Sequence, residues 1–295
     1  MNPYASRRYA LGLAHAGRTI DVPEWRTHVL ARDIPCGGED GLGVYPLTPL
    51  SPAADLTGGL ERLKAEALVS IVLVPDPLIG PSIEALGAAF DVARPFKAHL
   101  TVDPAAYAPN RHHRQEIRRA HRRCRVEVGP LAPWLPDWVR LYQELVARHD
   151  IAGVADFSVA SFQALAEEPL ILAFAAFVDD RIVGMALWFE HDGVVYNHLA
   201  ASDAVGYANG ASYALYDTAI VHFAGAAVIN LGGGAGAGDD AEQSGLYAFK
   251  QGFANGEVKA WLCGAVLDAD RYERLSAGRG GGFFPAYRGL MTTTD

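Results

Sequence analysis

The chain has 295 residues, half of them apolar and a fifth charged, with a net charge of −9. That length allows one large domain or two ordinary ones. No run of eighteen apolar residues occurs, which excludes a predicted membrane span, and the acidic balance argues against strong non-specific binding to nucleic acid.

Cys36, Cys124 and Cys263 are widely spaced and form no Cys-x-x-Cys, so a reducing compartment without a disulfide framework is expected. The first 25 residues hold arginines but no uninterrupted apolar core. No secretory signal is expected, and a cytoplasmic location follows as the simplest expectation. Charge is unevenly spread. Residues 111–125 hold seven arginines and one glutamate, a local charge of +6, which leaves −15 for the rest. Such a strip fits either a local anion contact or a solvated helix face.

Along the chain, residues 1–60 are rich in Gly and Pro and read as short strands, turns and loops. Residues 60–67 read as a short helix, and the β-branched run at 69–74 as a buried strand. A helix over 83–93 and a strand over 99–102 complete a small α/β unit. The arginine-rich helix follows, then a short strand at 126–128. Pro130, Pro133 and Pro136 break regularity, so the expected domain division lies at 1–130 and 131–295. Helices are expected over 136–149 and 158–166, the second capped by Ser158. Strands are expected over 170–178, 181–190 and 194–200, the last two joined by an Asp-Gly hairpin turn. A helix at 210–224, strands at 227–231 and 258–267, and a Gly-rich hinge at 278–282 before an aromatic tail complete the reading. The order from residue 137 predicts a mixed α/β sheet with helices on both faces.

The stretch NLGGGAGAGDDAEQSGLYAFKQGF, residues 230–253, concentrates the chemical signals. Three glycines at a strand end let backbone or ligand approach where a Cβ would collide. Lys250 lies within an aromatic and aliphatic segment, where a desolvated ammonium interacts strongly with any nearby anion. Gly232, Gly234 and Ala237 satisfy GxGxxA. However, no Gly-Lys-Ser/Thr follows, and Asp239 and Asp240 would repel a pyrophosphate, so a dinucleotide site is rejected. No metal cluster, Gly-x-Ser-x-Gly elbow or nucleophilic cysteine context is found.

The LGGG and LYxFKxGF motifs resemble the Fem-type branch of the GNAT acyltransferase superfamily, which includes tRNA-dependent aminoacyltransferases. RIVGMALWFEHDGVVYNHLAASD (181–203), GASYALYDTAIVHFA (210–224), FKAHLTVD (96–103) and RHHRQEIRRA (111–120) extend the resemblance over roughly two-thirds of the chain. The resemblance implies a GNAT-like α/β fold, with a C-terminal transferase domain and a reduced N-terminal GNAT-like half. It also implies that Lys250, in the family's FKxxF position, lies at the reaction centre. There it would stabilise the tetrahedral oxyanion of acyl transfer. A lysine snorkelling from a helix end would be the plain alternative.

His198, at the end of a central strand, is a candidate proton acceptor, and equally a buried structural histidine. Phe249, Tyr247, Tyr196, Asn197, Tyr213, Tyr216, Gly232, Gly233, Gly234 and Asp239 are candidates to line the substrate site. Arg118, Arg119, Arg122 and Arg123 are candidate phosphate or RNA contacts.

Members that use acetyl-CoA carry an Arg/Gln-x-x-Gly-x-Gly/Ala segment before the central helix. The corresponding residues here, 204–211, have glycines but no arginine, and Asp203 stands close by. Aminoacyl-tRNA is therefore the expected co-substrate, with no tightly bound cofactor or metal, and the acceptor is an amine on a small molecule or peptide. The alternatives are an acyl-CoA-dependent N-acyltransferase and a non-catalytic scaffold.

Overall fold

The computed structural model describes residues 1–35, 37–236, 242–279 and 282–289. The chain forms two compact units. Lys97–Lys259, with Met1, makes one, and Asn2–Phe96 together with Ala260–Asp295 makes the other. This division differs from one near residue 130. The strand that follows the arginine-rich helix pairs along its length with Leu172–Val178, which ties residues 97–130 to the sheet that comes after the prolines.

The unit containing the N-terminal segment holds α1 (Arg7–Gly12), β1 (Arg18–Val22), β2 (Thr27–Asp33), β3 (Glu39–Gly43), α2 (Leu56–Ala65), β4 (Ser70–Leu73) and α3 (Ile83–Ala89). β1, β2 and β3 form an antiparallel meander, and β3 then pairs parallel with β4. Trp25, Leu60, Leu63, Ile71, Phe90 and Cys263 are buried together in its core. Asp55 and Ser82 accept backbone N–H groups at the starts of α2 and α3, satisfying donors that a helix leaves open.

β5 (Val92–Val102) runs from this unit into the other. That unit contains α4 (Arg111–His121), β6 (Arg125–Pro130), α5 (Leu135–His149), α6 (Val159–Ala166), β7 (Leu172–Val178), β8 (Arg181–His191), β9 (Val194–Ser202), α7 (Ala204–Asn209), α8 (Ala211–His222), β10 (Val228–Gly232) and α9 (Gly245–Gln251). β11 (Gly256–Val266) returns the chain to the first unit, where α10 (Ala269–Ser276) follows. Strand order in the second unit is β5-β10-β9-β8-β7-β6. All pairings are antiparallel except β10 with β9, which is parallel.

Side-chain alternation assigns the two faces of this sheet. Leu100, Val102, Val195, Trp188 and Ile229 share a buried core with Leu215 and Tyr216 of α8. Lys97, His99, Asn230, Tyr196 and His198 therefore share the opposite face. Towards β8 and β9 that face carries an aromatic cluster from α5 and α6, in which Phe162 meets Trp138, Tyr142 and Phe157.

Most of the expected elements from residue 126 to 232 are found within two residues of their expected ends. Three helices were not anticipated. α7 hides its start in a glycine-containing segment, where Asp203 accepts the N–H of Gly206 at 2.9 Å. α1 and α10 are similarly capped, by Ser6 and Asp268. The aromatic tail is anchored, and residues 280 and 281 of the expected hinge lie outside the described residues. Asp40, fully buried, accepts from Arg32, Arg288 and Tyr287, and the Tyr287 hydroxyl also meets Ser70 at 2.7 Å. Cys124 and Cys263 are free, buried thiols, and Cys36 lies outside the described residues.

Candidate functional site

β10 and β9 pair at only three positions, Val228 with Val194, Ile229 with Val195 and Asn230 with Tyr196. Beyond these the strands part. β9 continues along β8, past an irregularity at Leu187 and Trp188, while Gly232 pairs with Leu100 of β5. The Asn230 side chain accepts the Gly232 N–H at 2.8 Å, and Gly232 takes a φ of +76°. A left-handed residue at this turn favours glycine, and the chain is thereby led off the end of the sheet.

α9 brings Lys250 back to that end. Ser244 caps the helix by accepting the Tyr247 N–H at 3.2 Å. The C-terminal part of α9 is held by α4. His113 Nε2 lies 2.8 Å from the Phe249 carbonyl, and the Asn110 N–H donates to the Gly252 carbonyl at 3.1 Å. A Cβ on Gly252 would lie 2.0 Å from the His113 ring, so the glycine of FKQGF makes room for that imidazole.

Lys250 is 7% exposed, and its Nζ donates to the Gly233 carbonyl at 2.9 Å. Burial, and then the charge of Lys97, push its pKa down to about 7. Lys97 donates to the Gly236 carbonyl at 2.8 Å, and its stem lies where a Gly233 Cβ would be. His99 is 6% exposed and its pKa is lowered to about 3, first by burial and then by Lys250 and Lys97. Two lysines thus bind one glycine turn, and a neutral histidine lies within reach of their charges. Such a group can hold an anion or stabilise a developing oxyanion.

The candidate residues divide between the two sides of the sheet. Phe249 lies among Tyr213, Tyr216, His113 and Phe253, and the Tyr216 hydroxyl donates to Asn197 at 2.7 Å on the α8 side. Tyr196 stacks on Phe189 at 4.8 Å on the other side. His198 shares that side and meets Phe157 edge-on at 6.0 Å. Burial lowers its pKa to about 3, far from the value suited to a general base at neutral pH. Tyr247 donates to Glu257 at 2.7 Å, and Gly234 is buried in the turn. Asp239 and Asp240 lie outside the described residues.

Lys97, His99 and Asn230 were not singled out from sequence. The available signals were a second Phe-Lys pair in FKAHLTVD and a lone asparagine inside an apolar strand.

In α4, His113, Ile117 and Ala120 face inward, which turns the arginines outward. Arg118, Arg119, Arg122 and Arg123 are all exposed, and Arg119 is also bonded to Glu116 at 2.7 Å. Arg125 is engaged with Glu127 and Asp180 and lies over the Phe177 ring. Arg122 and Arg123 border a depression of about 540 Å³ that is also lined by Asp179 and Asp180.

Asp203 is not a bare negative charge before the central helix. It accepts from Arg140 at 3.1 Å and Arg181 at 2.7 Å, and it caps α7. α8 begins at Gly210 without a side-chain cap.

Among the described residues no group of side chains is arranged to hold a metal, and no helix is long and apolar enough to cross a membrane.

Residues 111–251 match the acetyltransferase (GNAT) domain family. No curated protein matches the chain by sequence. Among solved structures, FemX is 13% identical, aligns over 91% of this chain and 93% of its own, and has a TM-score of 0.63. The C-terminal domain of a protein from Agrobacterium fabrum assigned as a lysylphosphatidylglycerol synthetase is 16% identical. It aligns over 96% of this chain and 94% of its own, with a TM-score of 0.62. L-PGS from Bacillus licheniformis is 12% identical over 89% of this chain and 92% of its own, with a TM-score of 0.60. Residues 111–251 are therefore similar to a GNAT domain, and the chain shares its fold with FemX and the two lysylphosphatidylglycerol-synthetase-type structures.

Proposed function

We propose that the protein transfers an aminoacyl group from aminoacyl-tRNA to an amine of a small-molecule or peptide acceptor. The observation that carries this reading is the buried ammonium of Lys250 on the Gly233 carbonyl, where β9 and β10 part. The amine nitrogen attacks the ester carbonyl carbon, and the carbonyl oxygen becomes an oxyanion beside Lys250. The carbon–oxygen bond to the ribose then breaks, the ribose oxygen takes up a proton, and the amine releases one to solvent. Holding donor and acceptor together supplies much of the rate, and the fixed cation lowers the barrier further. The exposed Arg118, Arg122 and Arg123 support a polyanionic donor, since arginines that neutralise phosphates supply salt-sensitive affinity. The test is amine-dependent discharge of charged tRNA by the purified protein.

A second reading is transfer from acyl-CoA. It is favoured by the pairing of Asp203 with Arg140 and Arg181 and by the start of α8 at Gly210, which no side chain caps, because helix N-termini bind phosphate. Calorimetry with acetyl-CoA separates the two. Micromolar binding that is lost on enlarging Gly206 and Gly210 selects acyl-CoA.

A further inference from the structure

We propose that Lys97, His99 and Lys250 form a seat for an oxyanion group, a carboxylate or a phosphate, carried by a substrate. The proposal rests on the reading of Lys250 as a site residue and adds the chemistry of what binds there.

Four observations support it. Lys97 and Lys250 bind carbonyls of the same glycine turn, Gly236 at 2.8 Å and Gly233 at 2.9 Å. An ammonium has three donors, and Lys250 uses one of them on protein among the described residues. The turn is closed around Lys97, because a Gly233 Cβ would lie 2.7 Å from its Cδ. Finally, His99 is 6% exposed, and among the described residues its Nδ1 has no hydrogen-bond partner. A buried polar atom of this kind is costly, and in the tautomer protonated at Nδ1 it would donate to a ligand oxyanion. Like charges this close repel, and an anion placed between them favours the charged form of both.

Among the described residues, the other titratable groups packed against α9 are engaged elsewhere, and Asp239 and Asp240 lie outside the described residues. His113 on α4 holds the Phe249 carbonyl. Tyr216 on α8 donates to Asn197, and Tyr213 packs edge-on to Phe249. Tyr247 donates to Glu257 at the start of β11.

The test is trace labelling of the full chain with acetic anhydride across pH, reading acetylation of Lys250 by peptide mass spectrometry. Three parallel series contain sodium chloride, inorganic phosphate or acetate at matched ionic strength. In chloride the labelling midpoint should lie near 7. An oxyanion in the seat should raise it by about one unit or more. A shift in phosphate assigns the seat to a phosphate group, and a shift in acetate alone assigns it to a carboxylate. Lys97→Gln, with its fold checked by circular dichroism, should lose most of the shift. Midpoints unmoved by either anion, or a full shift in Lys97→Gln, would overturn the proposal. No donor or acceptor is present, so this outcome is independent of any transfer assay.

Discussion

The Lys250 ammonium donates to the carbonyl of Gly233, 2.9 Å away, from a position that is 7% exposed. A cation held this way is costly to the fold and useful to a reaction that develops negative charge. Burial disfavours the charged form, while a fixed donor stabilises an oxyanion without reorganising.

Lys250→Met should therefore lower transfer on the order of 100- to 1000-fold, as for other oxyanion donors. It should also stabilise the fold. Lys250 titrates at about 7 in the folded chain and near 10.4 unfolded. Below pH 7 the folded state bears the full cost of the buried charge, and the cost disappears between pH 7 and about 10.4. Thermal melts should show the variant with the higher Tm at pH 6, on the order of a few kcal/mol more stable, with the gain shrinking towards pH 10. An unchanged Tm at pH 6 would show that the charge is not buried.

The same titration governs rate. If the ammonium form is required, the chemical step should lose rate as pH rises through about 7. Lys250→Arg, which stays charged, should lose that descending limb at a lower absolute rate. A limb that persists in Lys250→Arg belongs to another group.

Gly252→Ala places a methyl in the space of the His113 ring. Overpacking of this kind costs about 1–3 kcal/mol. Because His113 also holds the Phe249 carbonyl, the change should displace Lys250 and lower transfer. In His113→Ala the space is vacant, so the double variant should cost less than the sum of the single changes. Simple additivity in denaturant melts would rule out the steric account.

On α4, Arg118→Ala with Arg122→Ala and Arg123→Ala should weaken tRNA binding and flatten its salt dependence. Arg119→Ala should matter less, because Glu116 already occupies its guanidinium. Equal salt slopes for wild type and the triple variant would leave α4 a solvated surface.

Much of the fold was legible because periodicity and turn chemistry agreed. The Asp-Gly hairpin between β8 and β9, the apolar run of β7 and the α5 pattern each point one way. α7 was illegible because Gly206 within it and Gly210 at its end mask a helix that Asp203 starts. The site was half legible. Lys250 and the glycine turn stand out locally, but the neighbours of Lys250 come from β5, some 150 residues earlier in the chain. Long-range pairing of β5 with β10, not any local pattern, puts Lys97 and His99 beside that turn. In sequence His198 stands out and His99 does not. Only the packing shows that His99 lies within reach of the charge of Lys250, while His198 packs against Phe157.

The most direct measurement is the discharge of a total aminoacyl-tRNA pool by the purified protein with a panel of amines, wild type beside Lys250→Met, and a parallel assay of CoA release from acetyl-CoA. The account predicts amine-dependent discharge by wild type, none above background by the variant, and no CoA release. CoA release without tRNA discharge, or equal discharge by both proteins, would contradict it.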